Sequence, residues 1–261
     1  MSGRLRAVFF DAGNTLIHMD YDAIASALAA AGVTTDARRV QRAEWRARVR
    51  LDASFQPGAS TEHPSTAERY LAYLLDELHV RDAATVAALI DWRRGYNLPE
   101  GLWTVRELEA ENALRLAHEA GLRTAVISNS NGTIAAILDA LGLGRHLDFV
   151  IDSSLVGVEK PDPRIFTLAL ERAGLRGEEA AYIGDLYTID VLGARAVGLT
   201  PVLLDPGGCW PPRDCFRAPT ISAAVELLIA RNGGSAGTAR SGRADRVGSG
   251  RAASDQAGNV T

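Results

Sequence analysis

Residues 5–16 read LRAVFFDAGNTL, an apolar run that stops at an aspartate. The run from Leu5 to Phe10 predicts a strand that is covered on both faces, because short apolar runs bounded by turn-forming residues are typical of such strands. Asp11 and the polar loop behind it then lie at the carboxyl end of this strand. That position is informative, because ligands of open parallel sheets bind beyond the carboxyl ends of the strands.

The second half of the chain repeats the pattern of an apolar run followed by a polar turn. Four more runs occupy residues 124–127, 149–151, 180–183 and 201–204, and segments with helical spacing lie between them. Strands that alternate with helices of this length predict an α/β fold in which helices cover both faces of a parallel sheet. We therefore predict an α/β core domain from residues 1–17 and 101–231.

The stretch between these two parts has a different pattern. Residues 18–100 look wholly helical, with apolar positions at helical spacing and breaks at Gly32 and at Pro57-Gly58. A helical insertion cannot join the sheet, so we expect a separate helical lobe. Residues 232–261 are mainly Gly, Ser, Ala and Arg and predict a disordered tail.

Composition excludes several classes of function. The 261 residues are 47% hydrophobic and carry a formal charge of −4, which disfavours nonspecific binding to nucleic acid. No apolar stretch reaches the roughly 20 residues that span a bilayer, so no membrane partner is expected. The two cysteines, Cys209 and Cys215, do not form a disulfide framework, and we expect a reducing cytoplasm. Of the 28 basic residues only Lys160 is a lysine.

Polar residues follow each predicted strand, and we expect them to meet at one edge of the sheet. Asp11 follows the first strand, Ser128-Asn129 the second, Lys160 the third, and Gly184-Asp185 the fourth, with Asp190 five residues later. Each residue alone has a simpler interpretation as a turn or helix cap. The order and placement of the whole set favour a functional site.

This set of side chains suits a phosphate ester. A carboxylate such as Asp11 can attack phosphorus and hold the phosphoryl group covalently. Asp11 and Asp185 can bind Mg²⁺, which reduces the repulsion between the nucleophile and the phosphate. Ser128, Asn129 and the following backbone N–H groups can bind phosphoryl oxygens, and the Lys160 ammonium can stabilise the developing charge.

Four motifs resemble those of the haloacid dehalogenase-like hydrolase superfamily. They are residues 9–16, Val126-Ile127-Ser128-Asn129, Lys160-Pro161, and Gly184-Asp185 with Asp190. The resemblance covers residues 5 to about 230 and implies a Rossmann-like core with a helical cap inserted after the first strand. It also implies an aspartyl intermediate on Asp11, Mg²⁺ bound by Asp11, the carbonyl of Gly13 and Asp185, and catalytic roles for Lys160 and Asp190.

Gly13 departs from the family pattern. Phosphatases of the superfamily usually carry a second aspartate at this position as general acid and base, a group that typically contributes 10²–10⁴-fold to the rate. Our first interpretation is a Mg²⁺-dependent phosphatase of a small phosphorylated metabolite, restricted to good leaving groups or assisted by His18, Asp20 or Tyr187. The alternatives are a metal-independent 2-haloacid dehalogenase and a non-catalytic binding or regulatory module. Phosphonoacetaldehyde hydrolases of this superfamily need a lysine in the cap, and residues 18–100 contain none.

Overall fold

A central parallel sheet organises the chain. The computed structural model describes residues 4–56, 58 and 60–238. The strands are β1 Ala7–Phe10, β2 Ile17–Met19, β3 Trp103–Arg106, β4 Arg123–Ser128, β5 Phe149–Asp152, β6 Ala180–Gly184, β7 Thr200–Leu204 and β8 Phe216–Ala218. Six of them pair in the order β5-β4-β1-β6-β7-β8, and every pairing among the six is parallel. The predicted α/β fold with a Rossmann-like sheet is confirmed.

Ten α-helices accompany the strands in the described part of the chain. They are α1 Tyr21–Ala30, α2 Ala37–Ala53, α3 Pro64–Glu77, α4 Ala83–Gly95, α5 Ala110–Glu119, α6 Ile134–Ala140, α7 Ser153–Val156, α8 Pro163–Ala173, α9 Leu192–Ala196 and α10 Ile221–Thr238. None of the helices in this part of the chain is both long and apolar enough to cross a membrane.

Helices cover both faces of the sheet, as the apolar runs require. Val8 and Phe10 of β1 belong to an apolar cluster with α5 and α10, whereas Ala7 and Phe9 belong to a second cluster with α8. Alternate residues of a strand point to opposite faces, so β1 contributes to both layers. All four side chains are completely buried.

The position of β1 in the sheet determines where the site forms. β1 lies between β4 and β6, with Phe10 paired to Val126 on one side and to Ile183 on the other. The residues that follow these three neighbouring strands therefore emerge side by side. Asp11 lies between the loop after β4 and the loop after β6.

The inserted stretch has its own apolar core but is not wholly helical. Helices α1 to α4 surround a cluster that includes Ile24, Leu28, Val40 and Leu74. The expectation of an all-helical stretch is wrong at its start, because β2 pairs antiparallel with β3. A three-residue strand whose partner lies more than eighty residues away leaves no local pattern to recognise. We retain the division into a core and a cap over residues 18–100 as a proposal, with this two-stranded ribbon at the boundary.

The C-terminal prediction also needs correction. Helix α10 continues to Thr238, so residues 232–238 are helical and the predicted disordered tail is wrong there. Asn232 explains the first part of this extension, since its side chain accepts a hydrogen bond from the Leu5 backbone N–H at 2.9 Å and donates one to the Leu5 carbonyl at 3.1 Å. Residues 239–261 of the predicted tail lie outside the described residues.

Candidate active site

A cleft of about 310 Å³ lies between the carboxyl edge of the sheet and the helical insertion. The structure brings every predicted site residue into its lining, namely Asp11, Gly13, Ser128, Asn129, Lys160, Asp185 and Asp190. Their roles remain predictions, but their side-chain contacts define what each one can do chemically.

Lys160 lies at the centre of a buried polar cluster and is only 2% exposed. Its Nζ donates to Asp11 Oδ1 at 2.7 Å, to Asp190 Oδ1 at 2.9 Å and to the Tyr182 hydroxyl at 2.9 Å. Burial alone would lower the pKa of Lys160, but the two adjacent carboxylates outweigh burial and raise it. The ammonium therefore stays charged beside Asp11.

Asp190 organises the loop that carries Asp185. One of its oxygens binds Lys160, and the other accepts the backbone N–H groups of Asp185 at 3.0 Å and Leu186 at 2.9 Å. This close approach requires a glycine at position 184, because a Cβ there would lie 2.5 Å from the Asp190 carboxyl. Both Asp190 oxygens are engaged, so Asp190 positions its neighbours.

Asp11 and Asp185 are the carboxylates best placed to hold a metal ion. Together with Asp190 they present oxygen atoms that all lie within 4.8 Å of one another. Burial raises the pKa of Asp11 to about 6, with Lys160 opposing the shift and Asp190 adding to it. Burial also raises the pKa of Asp185 well above its usual value. Buried carboxyl oxygens with an excess of negative charge are a suitable donor set for Mg²⁺, so the residues present fit the ion.

An arginine from the insertion reaches this cluster, which the sequence analysis missed. Arg48 of α2 is 3% exposed, and its Nη1 lies 3.4 Å from Asp185 Oδ2. Its Nε donates to Glu44 at 2.8 Å, and Glu44 is fully buried. A signal was present in the sequence, because Glu44 and Arg48 follow Val40 at four-residue spacing on the apolar stripe of α2. Charged residues on such a stripe indicate a buried ion pair.

The space beside Gly13 is filled by an aromatic ring. A Cβ at this position would lie 3.3 Å from Cδ1 of Trp103. The indole Nε1 of Trp103 donates to Asn14 Oδ1 at 3.3 Å, and Asn14 Nδ2 donates to Asp185 Oδ2 at 3.1 Å. Trp103 therefore packs against the loop that carries Gly13 and Asn14, on the side where a longer residue at position 13 would stand.

The three proposed replacements for the acid–base group are wrong. His18 Nδ1 lies 2.8 Å from the backbone oxygen of the next residue. Asp20 caps α1 and accepts the Tyr96 hydroxyl at 2.9 Å. Tyr187 donates to Asp214 at the surface, at 2.6 Å. None of these three side chains is among the described residues that line the cleft.

The turn after β4 connects the core to the insertion. Ser128 is buried at the end of β4 and lines the cleft. The Asn129 amide accepts the Lys160 backbone N–H at 2.7 Å and donates to the Lys160 carbonyl at 2.9 Å and to the Thr61 hydroxyl at 2.8 Å. Asn129 thus fixes the Lys160 turn, and the substrate-binding role of both residues stays a prediction.

Comparisons with known proteins assign the family. A family model described as haloacid dehalogenase-like hydrolase matches residues 5–198. The human haloacid dehalogenase-like hydrolase domain-containing protein 3 is 33% identical over 217 residues, which cover 78% of this chain and 85% of that protein. A ribulose-1,5-bisphosphate 5-phosphatase of Halopiger xanaduensis is 41% identical over 99 residues, covering 38% of this chain and 41% of that one. A dehalogenase structure with an intermediate complex has the same fold, with a TM-score of 0.59 and 22% identity over 88% of this chain and 99% of that chain. This chain belongs to the haloacid dehalogenase-like hydrolase family.

Proposed function

We propose that this protein is a Mg²⁺-dependent phosphatase that transfers the phosphoryl group of a small metabolite to Asp11 and then to water. The observation that carries the proposal is the buried cluster of Asp11, Asp185 and Asp190 around Lys160. Lys160 pairs with Asp11 and Asp190, and Asp185 has only the more distant Arg48, which itself pairs with Glu44. The resulting excess of negative charge is what a divalent cation would neutralise.

The residues of the chain then have defined tasks. The Asp11 carboxylate attacks phosphorus, and the bond to the leaving oxygen breaks. Lys160 touches Asp11 and is placed to stabilise the charge that develops on the transferring group. Asp190 holds Lys160 and the Asp185 loop in position. Mg²⁺ held by Asp11, Asp185 and the Gly13 carbonyl would screen the nucleophile from the phosphate.

The substrate class rests on the cleft and on the relatives. A cleft of about 310 Å³ suits a small molecule. The relative from Halopiger xanaduensis is named for activity on a phosphorylated sugar, which supports a small phosphorylated substrate for this chain. Cys209 and Cys215 are both free thiols, in keeping with the reducing cytoplasm that we propose as its compartment.

The decisive experiment separates the phosphatase from the dehalogenase and the non-catalytic module. We expect hydrolysis of p-nitrophenyl phosphate that requires Mg²⁺, stops in EDTA and is lost in Asp11→Asn. Asp148→Asn is the matched control, because Asp148 is a surface partner of Arg123 remote from the cleft lining. Equal rates with and without Asp11 would contradict the proposal. Release of chloride from a 2-haloacid in EDTA would instead support the dehalogenase.

A further inference from the structure

Hydrolysis through Asp11 needs a group that moves protons, and position 13 has no side chain to supply it. This inference rests on the proposed phosphatase function. Among the described residues that line the cleft, Tyr70 donates its hydroxyl to Glu44 and Tyr96 donates to Asp20. Both tyrosines have a raised pKa, because burial disfavours the phenolate. Neither is suited to exchange protons near neutral pH.

Glu62 belongs to the insertion, and contacts with the core hold it over the cleft. Its neighbour Thr61 accepts the Asn129 amide at 2.8 Å, and Ser60 donates to Glu159 at 2.9 Å. Asn129 hydrogen-bonds to the backbone of Lys160, and Glu159 directly precedes Lys160 in the sequence. Glu62 lines the same cleft as Asp11 and Ser128.

We propose that Glu62 is the general acid and base that replaces the side chain missing at Gly13. In the first step the Asp11 oxygen bonds to phosphorus, the bond to the leaving oxygen breaks, and protonated Glu62 gives its proton to that oxygen. In the second step the Glu62 carboxylate takes a proton from the attacking water. The new oxygen–phosphorus bond forms as the Asp11–phosphorus bond breaks, which releases phosphate and returns Glu62 to its protonated form.

The charges around Glu62 suit both roles. Although Glu62 is partly exposed, desolvation raises its pKa to about 7, and the negative charges of Glu159, Asp11 and Asp152 add to the shift. The positive charge of Lys160 opposes the shift, and Arg93, which also lines the cleft, interacts electrostatically with Glu62. A group with a pKa near the working pH exchanges protons most effectively in both directions.

The test compares Glu62→Gln with Glu119→Gln under p-nitrophenyl phosphate and Mg²⁺. Glu119 is a matched control, because it is an exposed glutamate of α5 that pairs with Arg115 and is not among the described residues that line the cleft. We expect Glu62→Gln to lower the steady-state rate by about 10²–10⁴-fold. p-Nitrophenolate leaves without a proton, so the first step persists and a burst near one nitrophenolate per enzyme appears. We expect the rate of the wild-type enzyme to change with pH around pH 7, where Glu62 titrates, and we expect this change to be absent in Glu62→Gln.

Several outcomes would overturn the role of Glu62. One is a Glu62→Gln enzyme that keeps the wild-type rate and pH dependence and shows no added burst while Asp11→Asn is inactive, which leaves the proposed function intact. Another is that Glu100→Gln, and not Glu62→Gln, shows these effects, since Glu100 is a further carboxylate in the cleft lining. Equal rates for wild type and Asp11→Asn would contradict the proposed phosphatase function, and the role of Glu62 would fall with it. Thermal unfolding of Glu62→Gln shows whether a low rate reflects misfolding.

Discussion

Replacing Lys160 with methionine tests whether its ammonium holds the buried carboxylates in place. The change removes three hydrogen bonds, at 2.7, 2.9 and 2.9 Å, from a side chain that is 2% exposed. Removing one partner of a buried ion pair costs about 3–5 kcal/mol, because it leaves a buried charge without compensation. We expect a loss of this size in the free energy of unfolding at pH 8.

The loss should shrink in acid. Lys160 stays protonated throughout pH 5–8, since its pKa is raised, so its contribution to the wild type is fully present over this range. The pKa of Asp11 is about 6 in the folded protein, above its ordinary value of 3.8. Between these two pH values the folded state binds more protons than the unfolded state, so the charged Asp11 lowers the free energy of unfolding more as pH rises. Without Lys160 the pKa of Asp11 rises further, because Lys160 is the neighbour that lowers it in the wild type. Protonation then removes the uncompensated charge at pH 5, where we expect a loss of only about 1–3 kcal/mol.

Urea unfolding at pH 5 and pH 8 measures both values. Arg164→Met is the control, because Arg164 forms an exposed pair with Asp162, and exposed pairs contribute little to stability at either pH. An equal loss at the two pH values would refute the reasoning and assign Lys160 a packing role.

The substitution Lys160→Arg tests the role of the ammonium in catalysis. We expect about a 10²–10³-fold loss of kcat, because the larger, planar guanidinium cannot replace the compact ammonium among its three buried hydrogen-bond acceptors.

Three further predictions concern the metal site and its surroundings. Mg²⁺ should raise the melting temperature more at pH 8 than at pH 5, because protons compete with the ion for Asp11 below its pKa of about 6. At a Mg²⁺ concentration 100 times the Kd, the free energy of unfolding should increase by about 2.7 kcal/mol. Equal shifts of the melting temperature at both pH values would contradict this competition. Arg48→Met should destabilise the protein by about 3–5 kcal/mol by stranding buried Glu44, and Mg²⁺ should recover more stability in this variant than in the wild type; calorimetry with and without Mg²⁺ tests both. Gly13→Asp should lower stability by about 1–3 kcal/mol and give no gain in turnover, because Trp103 fills the space beside residue 13; a faster enzyme would contradict the structure.

The sequence predicts the sheet and the placement of its strand-end residues because both depend on local patterns. Each apolar run is long enough to reveal a strand, and parallel strands bring their carboxyl ends together. This reasoning predicts that Asp11, Lys160 and Asp185 lie at one edge of the sheet, where the structure has them in the lining of one cleft. It could not reveal Tyr182, whose position inside an apolar run gives no sign that its hydroxyl reaches Lys160.

The contribution of the insertion was out of reach for a different reason. Arg48 and Glu62 approach the cleft only because α2 and the segment before α3 pack against the core. The apolar stripe of α2 indicates a buried Glu44–Arg48 pair, but no pattern within residues 18–100 specifies that this pair packs against the core. The same limit hid Trp103, whose contact with Gly13 spans ninety residues of sequence.

Covalent capture of the phosphoryl group on Asp11 tests the central claim most directly. The protein is mixed with p-nitrophenyl phosphate and Mg²⁺, quenched in acid within the first turnover, and digested for mass spectrometry. We predict the mass of one added phosphoryl group on the peptide that contains Asp11, its absence in EDTA, and its absence in Asp11→Asn. Hydrolysis without any adduct on Asp11, or an adduct that persists in Asp11→Asn, would contradict the account.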